Sequence, residues 1–230
     1  NDAFAVTHRK AASIVAITKY LPSYAGVHLY DEVVHLRKIL KIKHPFVLLI
    51  GGAKLDKLEI LNSLIKEADA ILVGGTLSLS LLQSQGYAIP GNFDHDEKIA
   101  KKILKNTHVI LPVDLVMDDK SVVDIDEVPK KKLAYDIGPN TVRTYIEILK
   151  SAKIVVWNGP MGYFEKKPFD MATKKIAKFL IKSDVKSVLG GGDTLSATGL
   201  KGFSHATTAG GAFLSLVGKR SMPGLDALDQ

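Results

Sequence analysis

The 230-residue sequence contains no cysteine. That absence excludes disulfides, thiolate metal sites and a cysteine nucleophile, and it fits a reducing compartment. No apolar run approaches the ~18 residues of a membrane-spanning helix, and no signal-peptide pattern opens the chain. Aromatic residues are scarce at 7%, with a single tryptophan, and no basic stripe is interleaved with them. The net charge of +7 is therefore scattered over the chain rather than organised for nucleic acid. Two common glycine-rich nucleotide motifs, G-x-x-x-x-G-K-[ST] and G-x-G-x-x-G, are missing as well.

What remains is ordinary globular composition, 46% hydrophobic and 24% charged. It suits one large domain, or one domain with an appendage, in a soluble and cytoplasmic protein. The first residue is Asn1, and residues 1–12 have the character of protein interior, so a fragment or processed piece is expected. Short continuous apolar runs predict strands at 46–50, 70–73, 108–111, 113–117, 153–157, 185–189 and 203–206, with a surface strand at 121–125. Helical spacing predicts helices over 9–19, 29–40, 58–65, 77–85, 139–149, 169–182 and 212–217, and within the polar stretch 92–106. This alternation predicts an α/β fold, a parallel sheet covered by helices on both faces in the Rossmann-like manner.

Glycine turns close at least five of these strands: Gly51-Gly52, Gly74-Gly75, Gly159, Gly190–Gly192 and Gly210-Gly211. In a parallel sheet those turns share one edge, where ligands bind. The stretch VLGGGDTLSA at 188–197 carries the sharpest signal. Strand, glycine turn and helix start present backbone N–H groups and the positive end of a helix dipole to an anion. Asp193 beside them would repel phosphate unless a cation intervenes, which points to Mg²⁺. The plainer alternative is a tight turn in which Asp193 caps the helix. Lys54, Lys57, Asn158, Glu165, Thr194 and Thr208 fall on the same edge. Together these features favour a nucleotide-phosphate site over a purely structural role.

The motifs, in order, resemble those of phosphoglycerate kinases. They are NDAF with THR in 1–9, LPSYAG at 21–26, GGAK with DK in 51–57, VGG at 73–75 and LPVD at 111–114. DIGP with Thr141, VVWNGPMG with FE in 155–165, GGGDT at 190–194, H-x-TT with GGA in 205–212, and MPGLDAL at 222–228 complete the series. The resemblance implies reversible phosphoryl transfer from 1,3-bisphosphoglycerate to Mg-ADP, giving 3-phosphoglycerate and Mg-ATP. It implies that Lys54 contacts the transferred phosphoryl group and Lys57 the nucleotide phosphates. Asn158 and Pro160 would line the nucleotide site, Glu165 would hold the ribose, and Gly74 and Gly75 would border the adenine. Gly52 and Gly192 would belong to the nucleotide turns. Asp193 would hold the metal and Thr194 a phosphate, while Gly210 and Gly211 would stabilise transferred charge. His8 and Arg9 are the residues matching the phosphoglycerate-binding half.

By this resemblance, residues 1–30 are a remnant of an N-terminal substrate domain and 31–45 a linking helix. Residues 46–218 form the nucleotide-binding domain and 219–230 a C-terminal tail. ADP or ATP is the expected ligand and a monomer the expected state, with no nucleic-acid or membrane partner. Three departures from the family pattern stand out. The N-terminal domain, with its basic substrate grip and arginine, is almost wholly outside the sequence, so nucleotide binding should exceed catalysis. GGAK-L-DK is one residue shorter between its lysines than GGAK-x-x-DK, and one residue turns a helix by roughly 100°. Ala209 stands where a first glycine is usual, and its Cβ would disfavour a positive φ. The alternatives are a non-catalytic ADP/ATP-binding module, a dinucleotide-dependent oxidoreductase on a similar sheet, and a nucleic-acid binder using the positive charge.

Overall fold

A computed structural model describes residues 1–41, 44–52, 67–93, 97–105, 108–199, 201–218 and 221–228. Helix α1 (Val27–Leu40) precedes strand β1 (Phe46–Ile50), followed by β2 (Ala70–Val73), α2 (Gly75–Ser84), α3 (Glu97–Leu104) and β3 (Val109–Ile110). Strands β4 (Asp114–Met117), β5 (Val122–Asp124) and β6 (Ala134–Ile137) come next, then α4 (Pro139–Ser151), β7 (Ile154–Asn158) and α5 (Met171–Lys182). The chain continues through β8 (Lys186–Gly190), α6 (Gly192–Thr198), β9 (His205–Thr207), α7 (Gly210–Val217) and α8 (Pro223–Asp226).

Six strands form a sheet in the order β3-β2-β1-β7-β8-β9, every pair parallel. Side chains alternate across it, as the two-residue period of a strand requires. Leu48, Ile50, Ile71, Val73, Val156 and Val188 face one layer with α1, α2, α3 and α7. Val47, Leu49, Leu72, Val155, Trp157 and Leu189 face the other, with α4 and α5. Both faces are apolar because both are covered, which is why these strands appear in the sequence as unbroken aliphatic runs. Burial of Leu48, Leu49 and Trp157 is complete, and each such side chain contributes about 1.5–3 kcal/mol of transfer free energy.

Two expectations are corrected. Residues 9–19 do not form a helix; the segment has 3-10 turns at Phe4–Val6 and Ala16–Lys19. No side chain between residues 10 and 20 is buried, so a short amphipathic pattern had no packing to hold it helical. The second correction is a separate three-stranded antiparallel sheet, β5-β4-β6, which includes the unexpected strand β6. Leu115 and Met117 pack it against Leu79, Leu82 and Ile89.

Two buried aspartates on this small sheet organise the helices that follow. Asp114, fully buried, accepts the N–H groups of Asn140 (2.9 Å) and Thr141 (2.8 Å) and the Thr141 hydroxyl (2.6 Å). It thereby caps α4, which begins with Pro139 and has no cap from its neighbouring residue Gly138. Asp136 accepts the Ala172 N–H (3.1 Å) in the first turn of α5 and the Ile137 N–H (2.9 Å). The LPVD and DIGP motifs thus serve the architecture.

Candidate functional site

All six parallel strands end on one edge, and the chain order reverses between β1 and β7. A crevice opens where neighbouring loops diverge at such a switch point. A cleft of about 880 Å³ lies there, lined by Gly52 after β1 and by Asn158, Gly159 and Pro160 after β7.

Its floor is tied together by one carbonyl. The Gly190 oxygen accepts the Asn158 Nδ2 amide (2.6 Å) and the Thr194 hydroxyl (2.9 Å), and that hydroxyl in turn accepts the Gly159 N–H (2.7 Å). Asn158 and Thr194 are buried, so the ends of β7 and β8 hold each other in place. Trp157 adds a hydrogen bond from Nε1 to the Gly159 carbonyl (2.8 Å). The turn after β8 needs glycine: Gly191 has φ of +105°, which L residues avoid.

Helix α6 starts immediately after Gly191 without any side-chain cap, leaving the first-turn amides of Gly192, Asp193 and Thr194 on the cleft wall. Asp193 is within the first turn, exposed, and makes no cap bond. Its carboxylate has no ion-pair partner among the described residues, and no group of three His, Asp or Glu able to hold a metal occurs among them. The Thr194 hydroxyl is committed on both sides, to the Gly190 carbonyl and the Gly159 N–H.

On the opposite side, α7 starts at Gly210 after Ala209. Ala209 has φ of −81°, an ordinary value for an L residue, so its Cβ introduces no strain. His8 rests against this helix start: a Cβ on Gly211 would lie 2.9 Å from His8 Nε2. Arg9 Nε donates to the same nitrogen at 3.4 Å. Burial first, and the Arg9 charge second, hold the His8 imidazole below its ordinary pKa.

His8, Arg9, Gly52, Gly75, Asn158, Pro160, Glu165, Gly192, Asp193, Thr194, Gly210 and Gly211 all line the cleft. Gly74 does not; it packs against Met161, with 2.7 Å between a Cβ placed there and the Met161 sulfur. Lys54 and Lys57, with the helix expected over 58–65, lie outside the described residues. Sequence reasoning missed Leu79, Phe93, Leu115, Tyr135, Asp136 and Leu214, which complete the walls. They are scattered along the chain, and although Asp136 opens the DIGP motif, nothing in its local spacing places it at the cleft. Burial pushes the Asp136 carboxyl up to about 7, against its hydrogen bonds from Ala172 and Ile137; the nearby Asp170 charge raises it further.

Fold and cleft together define a doubly wound α/β domain with its ligand crevice at the switch point of the sheet. A phosphoglycerate kinase family model matches residues 1–219. The phosphoglycerate kinase of Desulforapulum autotrophicum is 40% identical over 250 aligned positions, covering 100% of this chain and 64% of that protein. That of Pseudothermotoga lettingae is 36% identical, covering 99% and 63% respectively. Among solved structures, phosphoglycerate kinase from Coxiella burnetii superposes with a TM-score of 0.87 at 34% identity, over 99% of this chain and 64% of its own. The Pyrococcus horikoshii enzyme gives 0.87 at 30% identity, over 100% and 63%. The chain belongs to the phosphoglycerate kinase family, whose members are phosphotransferases of glycolysis. It spans about 64% of the length of the first curated relative. Among the described residues no helix is long and apolar enough to cross a membrane.

Proposed function

We propose that this chain provides the nucleotide half of a phosphoglycerate kinase, binding Mg-ADP or Mg-ATP for reversible phosphoryl transfer with 1,3-bisphosphoglycerate. The observation that carries this is the juxtaposition of uncapped helix-start amides with an uncommitted carboxylate, Asp193, at the switch-point cleft. Amides alone would serve any anion. Amides beside a carboxylate call for a cation between them. Mg²⁺ fits this donor set, because it keeps several waters and binds through one or two carboxylates plus substrate phosphates. Held by Asp193, it would supply neutralisation of the phosphate charge.

Asp193 would hold the metal, and the amides of Gly192 and Thr194 would face the phosphates. Gly52 would belong to the nucleotide turn, Asn158 and Pro160 would shape the cleft beneath the nucleotide, and Glu165 would take the ribose. Gly75 would border the base. Gly210 and Gly211 would stabilise charge at the transferred group, with His8 and Arg9 on its acyl-phosphate side. Lys54 and Lys57 are proposed from the motif alone, for the transferred phosphoryl group and the nucleotide phosphates. In the reaction the bond from phosphorus to the acyl oxygen breaks and one to an ADP β-phosphate oxygen forms. The electron pair leaves with the carboxylate of 3-phosphoglycerate, and no proton moves. The chemistry needs positioning and charge neutralisation rather than a covalent catalyst.

The domain division proposed is 1–30 as the substrate-domain remnant, 31–45 as linking helix, 46–218 as nucleotide domain and 219–230 as tail. A monomer in the cytoplasm is proposed with it. Calorimetric titration with ADP, with and without Mg²⁺, tests the proposal on the wild-type chain and Asp193→Ala. Saturable, Mg²⁺-dependent binding that weakens about tenfold or more in the variant, roughly 1.4 kcal/mol, is expected. No binding by the folded chain, or a preference for NAD, overturns it.

A further inference from the structure

Between β7 and α5 the chain passes through residues 159–170, which contain no helix or strand and bring Pro160 and Glu165 to the cleft. Their placement comes from neighbouring elements. The Met161 N–H donates to Thr173 Oγ1 (2.9 Å) on α5, and the Tyr163 N–H to the Tyr135 carbonyl (2.6 Å) on β6. Between these two bonds, Gly162 lies so close to Asp136 that a Cβ there would stand 2.2 Å from its Oδ1. The start of α5 has no cap from its neighbouring residue: the Asp170 carboxylate makes no cap bond and pairs with Lys174 (2.6 Å). The carboxylate at that helix start is supplied by Asp136, through Ala172.

We infer that Asp136 is a positioning residue for the cleft, fixing the start of α5 and seating Gly162, so that both together set where Pro160 and Glu165 stand. Asp114 is its natural control. It caps α4 in the same manner from the same small sheet, yet does not line the cleft. The two aspartates share the structural duty, and only Asp136 shapes the ligand wall. The consequence for nucleotide rests on the function proposed above; the seating of the wall does not.

Trp157 provides a readout that needs no ligand. It is the sole tryptophan, fully buried, and its indole N–H bonds to Gly159 at the head of this wall. Asp136→Asn keeps the shape but turns an amide nitrogen toward one of two backbone donors. Asp136→Asn and Asp114→Asn should both lower Tm. Only Asp136→Asn should shift the Trp157 indole resonance in a proton–nitrogen correlation spectrum and weaken Mg-ADP binding, by about tenfold. Gly162→Ala, which displaces the carboxylate from the other side without changing its charge, should reproduce both effects and decides the matter if Asp136→Asn does not fold. An unmoved indole resonance overturns the inference, as does an equal shift in Asp114→Asn or an ADP affinity that stays unchanged despite the shift. If the wild type binds no ADP, the proposed function fails, and the indole resonance alone still decides the seating of the wall.

Discussion

Burial separates Asp136 from an ordinary aspartate. Its carboxyl is held up to about 7, while an aspartate in an unfolded chain titrates near ~3.9. Between those values the native protein retains a proton that the unfolded chain has lost. The contribution of Asp136 to stability therefore falls as pH rises through that window, and levels off once both states are ionised. In urea titrations at a series of pH values, the stability difference between wild type and Asp136→Asn should change from about pH 4 to about pH 7 and stay constant above 8. A difference constant across the whole range would refute the assignment. Gly191 makes a second prediction at the same scale. At φ of +105° any Cβ is strained, and this one would also press on Asn158 Nδ2 at 3.2 Å. Gly191→Ala should cost on the order of 1–3 kcal/mol, measured by urea unfolding, with ADP affinity reduced in calorimetry.

Helices α4 and α5 start after residues that do not cap them, and receive their carboxylates across space from β4 and β6. Asp114→Ala leaves the Asn140 and Thr141 amides without their acceptor. A destabilisation of about 2–4 kcal/mol is expected in a denaturant midpoint. At the start of α7 the prediction has the opposite logic. Ala209 already has a relaxed backbone, so Ala209→Gly should lower stability by about 0.5–1 kcal/mol through unfolded-state entropy and bring no gain in ADP affinity. What was legible in the sequence follows the same physics. FVLLI, AILV and IVVWN were readable as strands because burial on both faces leaves no polar alternation. AYDI was not, since Tyr135 and Asp136 look like the approach to the next helix; the Tyr135 carbonyl and one Asp136 oxygen find their partners in Tyr163 and Ala172, far along the chain. The glycine turns and Asp193 announced the cleft. Phe93, Leu115 and Tyr135 did not, because their nearness to it is a product of the fold and not of spacing along the chain.

Over the whole molecule, the exposed large apolar side chains among the described residues are densest in one stretch of the sequence. Ile17, Tyr20, Leu21, Tyr24, Val27, Tyr30 and Val34 are exposed within residues 17–34, with Tyr20 at 82% and Val27 at 78%. Exposed apolar side chains in such number favour association. Light scattering on this chain should show a monomer at low concentration whose mass rises at high concentration, and the double variant Tyr24→Ser/Val27→Ser should suppress the rise. A wild type that stays monodisperse throughout would contradict the expectation.

The pairing of β1 with β7 joins strands more than a hundred residues apart. During synthesis, a ribosome that has delivered β1, β2 and β3 has delivered three neighbours of the sheet, but the open side of β1 still lacks its partner. That edge exposes unpaired backbone groups and a run of aliphatic side chains, the conditions under which nascent chains adhere to one another. It is closed only when residues 154–158 emerge, and the same event brings Asn158 to Gly190 as soon as β8 follows. The floor of the cleft is thus one of the last parts of this chain to exist, and a translational pause before β7 would leave its most vulnerable edge open longest.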